Sequence, residues 1–178
     1  MKSIFIGMLL VFLNFNLDIN AMRIGLIPTF LGYIFMLKGL SELTEYSGQF
    51  SRVMPHTKVM IAYSAICYAL DLFGISSSLG APVSFVLGLV STIVSLFISY
   101  GIIMGIKDIE TTRVQNLNSE QLYTTWKLLA TFSLIVYLLY LIPTLAIVCI
   151  IIGFIIGVYY LYIFSKTKNL FYDANPGL

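Results

Sequence analysis

LIPTFLGYIFMLKGLSELTEY, Leu26 to Tyr46, sets out in order the signals that the rest of the chain repeats. A proline stands at Pro28, an apolar run with a glycine and aromatics follows, and the run stops at Lys38, with Glu42 and Glu45 beyond it. Proline is tolerated in the first turn of a helix, where its missing N–H would have no intrahelical acceptor. The stretch therefore reads as a helix that enters a bilayer from one side and ends in water on the other.

Composition extends that reading to the whole chain. Of 178 residues, 59% are hydrophobic and 10% charged, against about 25% charged in a typical soluble domain. Each crossing of about 30 Å of hydrocarbon takes roughly 20 residues. Apolar runs of about that length fall near 4–17, 27–40, 57–75, 82–106, 123–142 and 143–165. The expected fold is all-α: a polytopic integral membrane protein with six transmembrane helices arranged as three hairpins in a single transmembrane domain over 1–178. The first run is short, and Asn14, Asn16 and Asp18 lie close to its end, so a full crossing there needs neighbouring helices or local thinning. Lys2 ahead of the run from Ile4 to Leu13 has the look of a secretory signal. Ile19, however, stands where a cut after Ala21 requires a small residue, which favours an uncleaved first helix.

Charge gives the orientation. With six spans, Lys2, Lys38, Arg52, Lys58, Lys107, Arg113, Lys127, Lys166 and Lys168 fall on one side and Arg23 alone on the other. Cytoplasmic loops accumulate Lys and Arg, so both termini are expected in the cytoplasm and the protein in the cell membrane as a multi-pass chain. The connections 14–27, 75–81 and the turn at Ile142–Pro143 then lie outside. The polar linker Lys107 to Gln121 lies in the inner aqueous phase, with Asn118 or Ser119 as a helix cap. Each even-numbered span opens from an outer turn with a proline, at Pro28, Pro82 and Pro143. LIPT occurs at 26–29 and again at 141–144. An internal repeat and the ordinary composition of short turns both account for this.

Several classes of function lack their residues. The net charge of +2 is spread over segment ends, so no phosphate-tracking surface for nucleic acid is expected. Cys67 and Cys149 lie in apolar runs and read as small buried hydrophobes. His56, the single histidine, sits at the cytoplasmic end of the third span, out of reach of Cys67. There is no His-x-x-Glu-His, Cys-x-x-Cys, Gly-rich phosphate loop or pair of intramembrane acids. No catalytic residues, metal site or cofactor are expected.

Asp71 is the one acidic residue inside an apolar run, and intramembrane carboxylates are functional candidates by default. It lies roughly 6 Å from the outer end of its helix at 1.5 Å per residue, where the macrodipole is negative. It calls for a cation or donors: a structural ion pair with Arg23, or contact with Asn14 and Asn16. Ser64, Tyr68 and Asp71 share one helix face. Ser84, Gly88, Ser91, Ser95 and Ser99 form a stripe in the fourth span, and Trp126, Ser133, Tyr137 and Tyr140 one in the fifth. One reading is an outward-facing cavity between the third, fourth and fifth spans, with Asp71, Tyr68, Ser64, Tyr137 and Tyr140 as candidate ligand-binding residues. The other is close helix packing, the ordinary role of small-xxx-small patterns such as Gly153-x-x-x-Gly157. At the cytoplasmic edge, Lys38, Glu42, Glu45, Arg52, His56 and Lys58 form either a solvated rim against lipid headgroups or a docking surface for a protein partner.

Leu26, Ile27, Pro28, Phe30, Gly32, Tyr33, Gly39 and Leu40 follow a Leu-Ile-Pro-x-Phe-x-Gly-Tyr run with a later Gly-Leu pair. In this the chain resembles uncharacterised small polytopic membrane proteins of Gram-positive bacteria, although Thr29 stands where that pattern often has aspartate. The resemblance covers the first quarter of the chain and implies a bacterial inner membrane, with no activity attached. Size and six spans are also similar to the substrate-binding subunits of energy-coupling-factor vitamin transporters, without an identifying motif. The expected function is binding or transport of a small or amphipathic molecule, the alternative a noncatalytic partner or regulatory subunit acting through the cytoplasmic loops. The expected partners are the lipid bilayer, a small-molecule ligand and a membrane or cytoplasmic protein.

Overall fold

Proline and glycine set where the helices begin. In the computed structural model, which describes residues 1–12, 16–19, 22–25, 28–75, 80–113, 115–139 and 142–175, Pro28 is the extended cap of α2 (Thr29–Leu43). Pro82 lies in the first turn of α4 (Gly80–Arg113), and Pro143 is the first residue of α6 (Pro143–Asp173). The remaining helices are α1 (Lys2–Phe12), α3 (Gln49–Leu72) and α5 (Ser119–Leu138). All six expected helices are present, but their ends differ from the apolar runs. α3 begins in polar sequence and passes through Pro55, α4 continues over Lys107 to Arg113, and α6 continues through Lys166 and Lys168 to Asp173. Hydropathy marks only the apolar part of a helix, whereas the helix itself continues as long as its backbone ladder holds.

One segment departs from the all-α expectation. The run 4–17 is not a single helix: α1 stops at Phe12, and β1 (Asn16–Ile19) pairs antiparallel with β2 (Met22–Gly25). Only two residues, Asn20 and Ala21, separate the strands, the spacing of a tight hairpin. Polar Asn16 and Asp18 alternate with Leu17 and Ile19, which suits a period of two better than a helix. At about 1.5 Å per residue, the 11 residues of α1 reach roughly half of the hydrocarbon thickness.

Two helices are long and apolar enough to cross a membrane, over Pro82–Arg113 and Thr144–Asp173. Only 17% and 22% of their most apolar windows are buried within the protein, which separates them from the core helices of a soluble fold. Their outward faces carry Val86, Val90, Ile93, Ile147, Ile151 and Ile155 to the exterior. An apolar belt of that size calls for an apolar environment.

Consecutive helices pack side by side, and α6 returns to α1 to close a ring. The contact between α1 and α2 is made through glycine. A Cβ on Gly7 would lie 2.5 Å from the Gly32 carbonyl oxygen, one on Gly32 2.7 Å from a Val11 methyl, and one on Gly39 2.5 Å from the Ile4 side chain. Gly32 and Gly39 are seven apart and so share a face. Gly105 likewise receives the Phe50 ring of α3 and Gly101 receives Val53. Tyr33 of α2 is hydrogen-bonded to Ser95 of α4 at 2.5 Å, a side-chain link between two helices that each pack on α3.

The buried core gathers in the half of the bundle near the termini. There Ile102, Ile103, Ile106 and Ile109 of α4 are sealed beside Phe50, Leu122 and Phe164. The same end is tied by polar contacts. Lys2 lies over Tyr172, Lys168 over Phe5 and Arg113 over Tyr46, at 4.8, 4.6 and 4.4 Å, and the Ser47 hydroxyl donates to Asp108 at 2.5 Å.

An exposed ion pair, Lys107 to Glu120 at 2.5 Å, joins α4 to the start of α5. The hydrogen bond first, and the charge second, hold the Glu120 carboxyl below its usual range and the Lys107 ammonium above its own. Because the folded Glu120 value is depressed, its stabilisation is complete above the ordinary carboxyl value of 4.5 and fades as pH falls. Lys107, raised, keeps its contribution below 10.5 and loses it at higher pH. E120Q should therefore flatten the acid limb of thermal stability between about pH 5 and pH 3. High salt, with a Debye length of about 3 Å at 1 M, should bring the wild type down to the variant. Equal slopes for the two proteins would refute the coupling.

Candidate functional site

A cavity of about 550 Å³ lies in the other half of the bundle, remote from the termini. Its walls are the second half of α1 (Met8, Phe12), the first half of α2 (Tyr33, Met36), α4 from Ser91 to Ile102, α5 from Leu129 to Tyr137, and α6 from Cys149 to Leu161. At about 1.5 Å per residue, the stretch of α4 that lines it is roughly 16 Å long.

Small hydroxyl residues open this space. Ser91, Ser95 and Ser99, spaced by four, present one face of α4, and the facing residues are not small but aromatic. The Tyr33 hydroxyl meets Ser95 at 2.5 Å. The Tyr137 hydroxyl meets Thr92 at 2.8 Å, with the Phe85 ring edge-on to Tyr137 at 5.4 Å. Trp126 Nε1 donates to Ser99 Oγ at 2.9 Å, and Ser99 donates in turn to the Leu96 carbonyl at 3.0 Å. Trp126 is itself packed between Tyr100 and Tyr123, at 5.2 and 6.1 Å, a cluster of the kind that anchors membrane interfaces. On the far wall Phe12 stacks on Phe154 at 5.5 Å and seats its ring over Gly157.

A chamber is thus present, but its walls differ from those expected. The third helix contributes none of the lining; it packs against α2 and α4. Of the five candidate ligand residues, Tyr137 lines the cavity. Ser64 donates back to the Met60 carbonyl at 2.5 Å, and Tyr68 meets the Phe30 ring edge-on at 5.8 Å; both belong to the packing of α3. Asp71 lies one residue before the end of α3, half-buried and away from the cavity. Tyr140 lies outside the described residues. Tyr33, Thr92 and Tyr160 line the cavity without having been read from the sequence as binding residues. Thr92 is three residues from Ser95, close enough to have been read with the stripe. Tyr160 sits in the run Tyr159–Tyr162, where sequence offers no way of choosing among three tyrosines.

The proposed tie between Arg23 and Asp71 involves side chains outside the described residues, as does Asn14. At the level of the backbone, β2 rests against α3, and the strand register sets Arg23 opposite Asp18. The Gly153-x-x-x-Gly157 pattern does not bring two helix backbones together: Gly157 receives the Phe12 ring and Gly153 faces the cavity. Cys67 and Cys149 are free thiols, and Cys149 is part of the cavity wall. Among the described residues no group of three or more His, Cys, Asp or Glu side chains is placed to hold a metal.

At the end near the termini, Lys38, Glu42, Glu45, Arg52, His56 and Lys58 are all exposed. Ser3 donates to the Glu42 carboxylate at 3.3 Å. The His56 ring tilts against Phe97 at 4.8 Å.

No family model, curated protein or solved structure matches the chain.

Proposed function

We propose that the protein is a multi-pass component of a bacterial inner membrane that binds, and passes or presents, a small amphipathic molecule held in the cavity between α1, α2, α4, α5 and α6. In this reading all six helices lie in the bilayer as three hairpins, both termini are cytoplasmic, and the cavity occupies the outer half. The single observation that carries it is the cavity itself: a large space among the helices of the bundle, lined by apolar side chains and by hydroxyls from four helices. Small-molecule sites have this character: concave and mostly apolar, with a few convergent polar groups. Orientation is supported by the nine basic residues on one side. Lys2, Arg113 and Lys168 are gathered there by cation–aromatic contacts, and such residues belong in the cytoplasm.

The test is ligand-dependent thermal stabilisation of the purified protein across a panel of metabolites and lipids. A ligand at about 100 times its Kd adds about 2.7 kcal/mol, a rise of about 5–10 °C for a chain of this size. A second reading, a noncatalytic partner subunit, rests on the exposure of all six rim residues. It would be favoured by a fully ligand-indifferent protein that loses a co-purifying partner when Arg52, Lys58 and Glu45 are reversed in charge.

A further inference from the structure

The chemistry of the cavity wall narrows the class of molecule. Among the described residues that line it none is Asp, Glu, Lys, Arg or His, and none is Asn or Gln. An ion placed there would have no counter-charge, at an effective cost of several kcal/mol in a low-dielectric site. Hydroxyls supply the polarity instead, and a count of their hydrogens is uneven. Tyr33 and Ser95 together carry two hydroxyl hydrogens and use one in their mutual bond. Thr92 and Tyr137 do the same. Whichever member donates, one hydrogen per pair is left. Ser91 and Ser133 make no hydrogen bond among the described residues. Tyr160, 4% exposed, lines the cavity and its hydroxyl has no partner among them. Ser99, by contrast, is satisfied on both sides. Among the described residues the wall therefore offers donors in excess, and no side-chain carboxylate or amide oxygen there takes them up. An unmet buried donor costs about 1–3 kcal/mol.

Resting on the binding reading above, we infer that the occupant is an uncharged amphiphile whose head carries oxygen acceptors, such as ester or quinone carbonyls. Its acceptors meet Ser91, Ser133 and the spare hydroxyls of the two pairs, and its apolar part lies along Met8, Phe12, Phe132 and Phe154. A glyceride ester and a quinone share this chemistry. Fatty-acid anions and phosphate-bearing heads do not.

The experiment uses the full chain in phosphatidylcholine nanodiscs and follows the emission of Trp126, the only tryptophan, whose indole is bonded to a cavity serine. The probes are monoolein, a short-chain ubiquinone, oleate at pH 8 and hexadecane. Monoolein or the quinone should bind at least tenfold more tightly than oleate or hexadecane, and whichever of the two does so identifies the source. S91A/S133A should weaken that probe about tenfold and leave hexadecane unchanged. Thermal unfolding of the variant verifies that it is folded; if it is not, S91A and S133A are measured singly. Oleate or hexadecane binding as tightly as the neutral esters, or no effect of the serine variants, overturns the assignment of class while the binding reading stands. Failure of every probe to bind overturns both.

Discussion

Gly32→Leu should lower the thermal unfolding temperature of the detergent-purified protein by about 6–12 °C. The backbones of α1 and α2 touch at this point. A Cβ on Gly32 meets a Val11 methyl at 2.7 Å, the Gly7 carbonyl oxygen at 2.8 Å and the Val11 amide nitrogen at 3.1 Å. Two of those three atoms are main chain, which cannot swing aside as a side chain would. Overpacking usually costs about 1–3 kcal/mol, and a backbone obstacle places this substitution at the upper limit. For a chain of this length each kcal/mol corresponds to about 2–4 °C. Gly48→Ala is the control. Nothing lies within 4 Å of its Cβ position and its φ is −65°, so it should leave the unfolding temperature within about 2 °C. If Gly32→Leu behaves like Gly48→Ala, the glycine contact between the first two helices is not what holds them.

Glu110→Ala should cost about 2–3 kcal/mol, read as a fall of about 5–10 °C. The side chain works as a clamp on the turn between α4 and α5. One carboxylate oxygen accepts the Leu117 N–H at 3.2 Å and the other the Ser119 N–H at 3.0 Å. Between them Asn118 adopts a left-handed backbone with φ 57°, a conformation that side chains other than glycine and asparagine disfavour. Leu117 is fully buried and Ser119 2% exposed, so water reaches the freed amides poorly. Glu110→Gln keeps one acceptor oxygen and should recover about half of the loss. Equal losses for the two variants would mean that the charge, and not the pair of acceptors, holds the turn.

Much of the helical frame is legible in the sequence because apolar runs and prolines constrain a helical backbone strictly. Six apolar runs mark six helices, and prolines 28, 82 and 143 mark where three of them start. The start of α5 at Asn118 or Ser119 is also legible, as polar residues just ahead of an apolar run, although Asn118 makes no side-chain cap bond and Glu110 takes up the amides there. What the runs do not fix is the arrangement around the axis. Ser91, Ser95 and Ser99 share a face in any helix, yet whether that face packs or lines a space depends on the residues opposite. Here these are Tyr33, Trp126, Ser133 and Tyr137. Asp71, Tyr68 and Ser64 likewise share a face, yet α3 turns none of its residues to this cavity, and no periodicity within α3 reports that. The β-hairpin was readable. Two four-residue stretches around Asn20–Ala21, with Asn16, Leu17, Asp18 and Ile19 alternating, carry a strand signal that a search for apolar runs passes over.

The most direct test of an occupied cavity compares the wild type with S91L/S133L in the same ligand panel. Both serines face the space without bonds of their own among the described residues, and leucine both narrows it and is a good helix former. The expected result is a ligand that stabilises the wild type by about 5–10 °C and shifts the folded double variant by less than about 2 °C. Equal stabilisation of the two proteins, or no ligand that stabilises the wild type, would contradict the proposal that this chamber is the binding site.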